Sequence, residues 1–397
     1  MDVRSKKNEL EFHPRLHKAA DWGWIGVACD KQRQQNDSLF EAKEEGFTLG
    51  IVEFDDQGRC HNRDQMHAIA KKLESFGDQE PIIVLFNHGW KHNADSKDAN
   101  LTEFCNLLKG IADHPDRQAS ARPVFGIYSA WRGQSFYWGG FGENFTFWNR
   151  KPAGLRVAMG SARELFERLH DYRKSADKKG KKPVVIVAGH SFGGLIVFSA
   201  LCQSLIAAAL TPSDKIVPSF TNLVLLVNPA FEAIRYMPIV DVITERQESE
   251  HIKDQTPVFI SVTTKNDWAT GLAFPTGMIA GAPLQYIQWP KNIALMANTM
   301  GHVRSLQTHE LLAEKLGTKK VAKLNPLPLK PKEHMRSPFW VVSTTKEVVD
   351  GHNGIWKPIF TDWIKERVIE QLASPQVVQL RKEVPAAGEG GIGELPK

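Results

Sequence analysis

The chain has 397 residues, 42% of them hydrophobic, with 50 Lys and Arg against 45 Asp and Glu for a formal charge of +5. That length and apolar share suit a single large α/β domain with insertions. The bases and acids are interleaved, which excludes a nucleic-acid groove and leaves at most a peripheral contact with an anionic membrane surface. No window approaches 18 uninterrupted apolar residues, and the charged opening MDVRSKKNELEFHPRLHKAADW lacks the apolar core of a secretory signal. Cys29, Cys60, Cys105 and Cys202 form no C-x-x-C pair, so free, mostly buried thiols in a cytoplasmic protein are expected.

In chain order, the first predicted strands are WIGVAC (24–29) and FTLGIVEF (47–54), the second running into the turn signal DDQG. These two are expected to form the antiparallel edge of the sheet. A helical pattern follows at 62–76, then a strand PIIVLFNHG (81–89), a helix at 101–112 and a strand PVFGIYSAW (123–131). The segment 131–150, WRGQSFYWGGFGENFTFWNR, is rich in aromatics and glycines and fits no core element. A helix is predicted over 153–175, a strand PVVIVAGHS over 183–191 and an apolar, buried helix over 194–210. The strands LVLLVNP (223–229), PVFISVTT (257–264) and PFWVVSTT (338–345) and a helix at 357–373 complete the pattern.

Strands that are apolar throughout and alternate with helices indicate a mostly parallel sheet covered on both faces. Residues 131–150 and 268–337 stand outside it as cap or lid insertions of one domain over 1–385, with 386–397 a disordered tail. That tail holds GEGGIG (388–393), which follows no strand and opens no helix, so no dinucleotide site is expected and no cofactor is called for.

Within VVIVAGHSFGGLIVFSAL, Ser191 sits in a Gly-x-Ser-x-Gly match. Such a match arises by chance in roughly one chain in eight of this length, so its flanks must decide. They supply a strand before Ser191, small residues Gly189, Gly193 and Gly194 around it and a helix at once after it. That is the context of a nucleophile elbow, in which the helix N-terminus favours a developing negative charge. His190 is expected to face away from Ser191 and to serve packing.

A serine hydroxyl needs an imidazole to take its proton and a carboxylate to orient that imidazole. In the order Ser…acid…His, Asp267 follows the strand 257–264, and His352 lies in the Gly-flanked loop after the last strand. Glu232, after the strand 223–229, is the alternative acid. His302 and His309 are rival histidines in the long insertion, expected at the surface or in a lid. The oxyanion donors are expected to be the N–H groups of Phe192 and of Trp90, the latter in the turn FNHGWKHNAD (86–95). His88 and His92 in that turn have a zinc-like spacing, but Gly89 stands where a zincin needs Glu, so no metal is expected.

On these residues the chain resembles the α/β-hydrolase superfamily from the first strand to the last helix. It is most similar to bacterial serine esterase or lipase-like proteins whose third strand ends in HGW or HGF and whose fourth ends in a WRG-type turn. The resemblance implies an eight-stranded, mostly parallel sheet with Ser191, His352 and Asp267 as its triad. A substrate pocket is expected from His88, Trp131, Trp138 and Phe141, whose apolar character favours an acyl-ester or lipid-like substrate. Thioester hydrolysis or acyl transfer would use the same residues, and a non-catalytic binding scaffold is the alternative from another class.

Overall fold

The computed structural model describes residues 38–89, 92–94, 98–131, 143–211, 215–245, 255–267, 269–273, 292–328 and 337–372, without the side chains of 143–150 and 272–273. The first half runs β1 (Leu39–Ala42), β2 (Phe47–Phe54), α1 (Arg63–Ser75), β3 (Ile82–Asn87), α2 (Ala99–Ala112), α3 (Pro115–Ser120) and β4 (Val124–Trp131). It continues with α4 (Glu143–Met159), α5 (Ser161–Lys178), β5 (Val184–His190), α6 (Phe192–Ala209), β6 (Leu223–Val227) and α7 (Met237–Glu245). After β7 (Phe259–Thr264) come the short α8 (Ile293–Ala297), then β8 (His309–Leu316), β9 (Lys319–Pro326), β10 (Phe339–Thr344) and α9 (Pro358–Glu370).

The strands form one sheet in the order β1-β2-β4-β3-β5-β6-β7-β10-β8-β9. Every pairing from β2 to β8 is parallel, and only the two edge strands, β1 and β9, run antiparallel. Both faces are covered, which is why the strands read as unbroken apolar runs. In β3, Ile83 and Leu85 enter the core under α1, α5 and α6, while Ile82, Val84 and Phe86 enter the core under α2 and α9. Helix α6 is apolar nearly all round because it packs within that first core, where twelve of its residues are buried.

Ten strands, not eight, are present among the described residues. The two unforeseen strands on the far side, β8 and β9, fall inside the segment 268–337 that was read as an insertion. Their cross-strand pairs Leu311–Leu324 and Ala313–Ala322 put small and apolar residues on one face, and Gly317 turns between the strands at φ 62°. Lys315, Lys319, Lys320 and Lys323, spread over both faces of the hairpin, hide that pattern from a search for apolar runs.

On the near side, β2 does pair antiparallel at the edge, but with the short β1, while its other side pairs parallel with β4. The predicted strand 24–29 lies outside the described residues, as do 132–142, Cys29 and the tail 386–397. The helix expected over 153–175 is two helices. They break at Gly160, where a Cβ would come within 2.2 Å of the Gly58 carbonyl oxygen. Among the described residues, Cys60, Cys105 and Cys202 form no disulfide.

Candidate active site

The chain turns sharply at the carboxyl end of β5. Ser191 has φ 56° and ψ −120°, a conformation that costs a non-glycine residue about 1–3 kcal/mol. The turn is held from three sides. The Ser191 N–H donates to the Val227 carbonyl, and its own carbonyl accepts from Leu195 and Ala230. Space at the elbow exists only because glycines supply it. A Cβ on Gly193 would lie 2.0 Å from the Asn87 carbonyl oxygen, and one on Gly189 would lie 2.6 Å from that of Gly193. Gly89 passes so close over the elbow that a Cβ there would stand 2.9 Å from the Ser191 Cβ.

Three side chains from three strand ends meet here. The Ser191 hydroxyl lies 2.7 Å from His352 Nε2, and His352 Nδ1 lies 3.0 and 2.9 Å from the two Asp267 carboxylate oxygens. Asp267 is buried, just beyond β7, and receives two further donors, the Thr270 N–H at 3.1 Å and the Thr270 hydroxyl at 2.5 Å. Burial pushes the Asp267 carboxyl up. The His352 hydrogen bond and charge, with both Thr270 donors, more than reverse this and hold it below its ordinary value. An ionised carboxylate behind the imidazole fixes Nδ1 as the protonated nitrogen, leaving Nε2 free to accept the serine proton.

Glu232 does not approach this histidine. It lies beyond β6, where its carboxylate pairs with Lys151 of α4 and stands 3.9 Å from Arg235. The sequence spacing made Asp267 and Glu232 look alike; the ion pair with Lys151, distant in sequence, separates them.

Several residues at this site were missed or misjudged from the sequence. Asn228 ends β6 at φ 44° and is fully buried. Its amide donates to the Gly351 and His352 carbonyls at 3.2 and 2.9 Å, and its oxygen accepts from the Thr264 N–H. It therefore ties the histidine loop to the ends of β6 and β7. The Asn-Pro pair at 228–229 was a usable turn signal, since Asn tolerates this left-handed backbone. His190 also reaches the loop: its Nε2 donates to the His352 carbonyl at 2.8 Å. Burial, and then the nearby His352, push His190 well below its ordinary value, so it acts as a neutral donor. His302 is half-buried beside the site, with Nε2 3.1 Å from the Thr270 hydroxyl.

His88 and Trp131 are buried and bonded to each other instead of lining an open wall. The Trp131 N–H donates to His88 Nε2 at 3.1 Å, and its indole N–H donates to the His88 carbonyl at 3.0 Å. His92, the other member of the zinc-like pair, bonds Asp98, the N-cap of α2. Phe192 opens α6 directly after Ser191. Trp90, Trp138 and Phe141 lie outside the described residues.

The buried histidines predict an acid-sensitive fold. Burial lowers His88 and His309 to about 4 each, against about 6.5 in an unfolded chain. The unfolded state binds more protons than the folded one between those values, so stability falls as pH drops through that window. From pH 7 to pH 5 each should cost about 2 kcal/mol, and His190 adds in the same direction. Urea unfolding at the two pH values measures this, and an equal or greater unfolding free energy at pH 5 would contradict it.

No known family's sequence profile matches the chain, and no curated protein matches it. Among solved structures it is similar to Est1E from Butyrivibrio proteoclasticus, at 11% identity over 76% of this chain and 90% of that one, with a TM-score of 0.28. At that score the fold and the site stand on the geometry above.

Proposed function

We propose that this protein is a serine hydrolase of the α/β-hydrolase fold that cleaves carboxylic esters through an acyl-serine intermediate. The observation that carries this reading is the hydrogen-bonded series Ser191–His352–Asp267 on a strained elbow at the head of α6. In this reading Ser191 Oγ attacks the ester carbonyl carbon as His352 Nε2 takes its proton. Asp267 stays ionised and stabilises the imidazolium. The oxyanion is met by the N–H groups of Phe192 and Trp90, aided by the α6 dipole. The alcohol leaves with the proton from His352. Water, deprotonated by the same imidazole, then releases the acid.

The aromatic segment that holds Trp138 and Phe141 favours an acyl or lipid-like chain over a small polar one. A series of p-nitrophenyl esters from acetate to longer chains tests both levels. Medium chains are expected to be turned over faster than acetate, and Trp138→Ala with Phe141→Ala should erode that preference more than acetate turnover. A flat profile would remove the lipid-like substrate, and no turnover at any length would remove the esterase.

A further inference from the structure

The β8–β9 hairpin outgrows the sheet. Strand β10 pairs with β8 only as far as Thr344 opposite Leu311, and β8 continues to Leu316. Five residues at about 3.3 Å each carry the tip roughly 17 Å past that point. Because β8 runs parallel to β10, its far end rises from the edge of the sheet that bears Ser191, Asp267 and His352. Four strand spacings, roughly 19 Å, separate β8 from the elbow strand.

The base of the hairpin is anchored, since Ala313, Ala322 and Leu324 pack on the core beneath α9. The tip is not. Leu316 is 71% exposed, and Lys315, Lys319 and Lys320 stand exposed around it. Lys323 pairs with Glu314, but no carboxylate among the described residues pairs with the three tip lysines. Lys315 also lies directly opposite Lys320 in the register, an arrangement of like charges that costs stability. Guarding an edge against strand addition accounts for lysines but not for an exposed leucine among them.

We propose that this tip docks on an anionic lipid surface, with Leu316 entering the headgroup layer and Lys315, Lys319 and Lys320 meeting the lipid charges. The combination of one inserting apolar side chain and a ring of cations is what such a surface takes up. A second copy fits less well, because joining β9 to β9 would crowd the Lys319, Lys320 and Lys323 cations of the two chains along one seam. Docking here holds the catalytic edge toward the bilayer. The proposal deepens the lipid-ester reading and rests on it for its purpose, though not for its measurement.

The test is co-sedimentation of the full chain with vesicles of phosphatidylcholine alone and of phosphatidylcholine with phosphatidylserine. Binding is expected to the anionic vesicles only and to weaken as salt is raised. A Lys near an anionic surface is worth about fivefold in binding, so reversing two of them, in Lys315→Glu with Lys320→Glu, should weaken it by more than about a hundredfold. Leu316→Ser should weaken it about tenfold. Turnover of a soluble short-chain ester should be unchanged in both variants.

Wild-type protein that ignores anionic vesicles, or variants that bind as well as wild type, would overturn the proposal. So would a dimer, seen by sedimentation velocity, that the tip substitutions dissociate, for then the edge serves a second copy. If vesicles bind but no ester is hydrolysed, it is the esterase reading that fails.

Discussion

Asp267→Asn is expected to lower ester turnover about 10⁴-fold, while Glu232→Gln stays within about tenfold of the parent. An amide at 267 keeps the shape of the side chain but offers Nδ1 no full negative charge. It also permits the imidazole tautomer that carries its proton on Nε2, which cannot accept one from Ser191. Thr270 adds to the effect, because its hydroxyl and N–H are both aimed at carboxylate oxygens and an NH₂ group would face one of them. Glu232 instead neutralises Lys151, so its replacement strands a largely buried ammonium and costs stability before it costs chemistry. Turnover should therefore be compared at matched folded fraction. A reversed ranking would move the acid to Glu232.

His352→Ala is expected to be at least as damaging, roughly 10⁴-fold or more, because it removes the only group within hydrogen-bond reach of the Ser191 hydroxyl among the described contacts. The comparison that gives this result meaning is with the other histidines. Among the described residues His302 is hydrogen-bonded to the series through Thr270, and His309 lies apart at the start of β8, with its ring 4.6 Å from that of Trp340. Their alanine variants should stay within about tenfold. A folded His302→Ala protein slower than His352→Ala would show that the wrong histidine has been given the role of base.

The parts legible in the sequence were those carried by local pattern. The strand–Gly-x-Ser-x-Gly–helix run placed Ser191 at an elbow because each requirement of that turn is met by neighbours in the chain. Chain order then brought Asp267 and His352 forward, since residues after successive parallel strands gather at one end of the sheet. What the sequence hid depends on contacts between distant residues. Lys151 claims Glu232 across a sequence separation of 81, and Asn228 reaches a loop more than 120 residues away. His88 looked like a pocket residue beside an oxyanion turn, but its imidazole is enclosed by Trp131 and Tyr128. The β8–β9 hairpin is hidden because its lysines fall on both faces among the apolar positions, and only the cross-strand register makes its apolar face plain.

The most direct test of the central claim is covalent. The intact protein should be treated with a fluorophosphonate, digested and mapped by mass spectrometry, with Ser191→Ala handled in parallel. The account predicts a single phosphonylated site at Ser191 in the wild type and no adduct in the folded Ser191→Ala protein. Labelling of Ser191→Ala at the wild-type rate, or an adduct on another residue of the wild type, would contradict it.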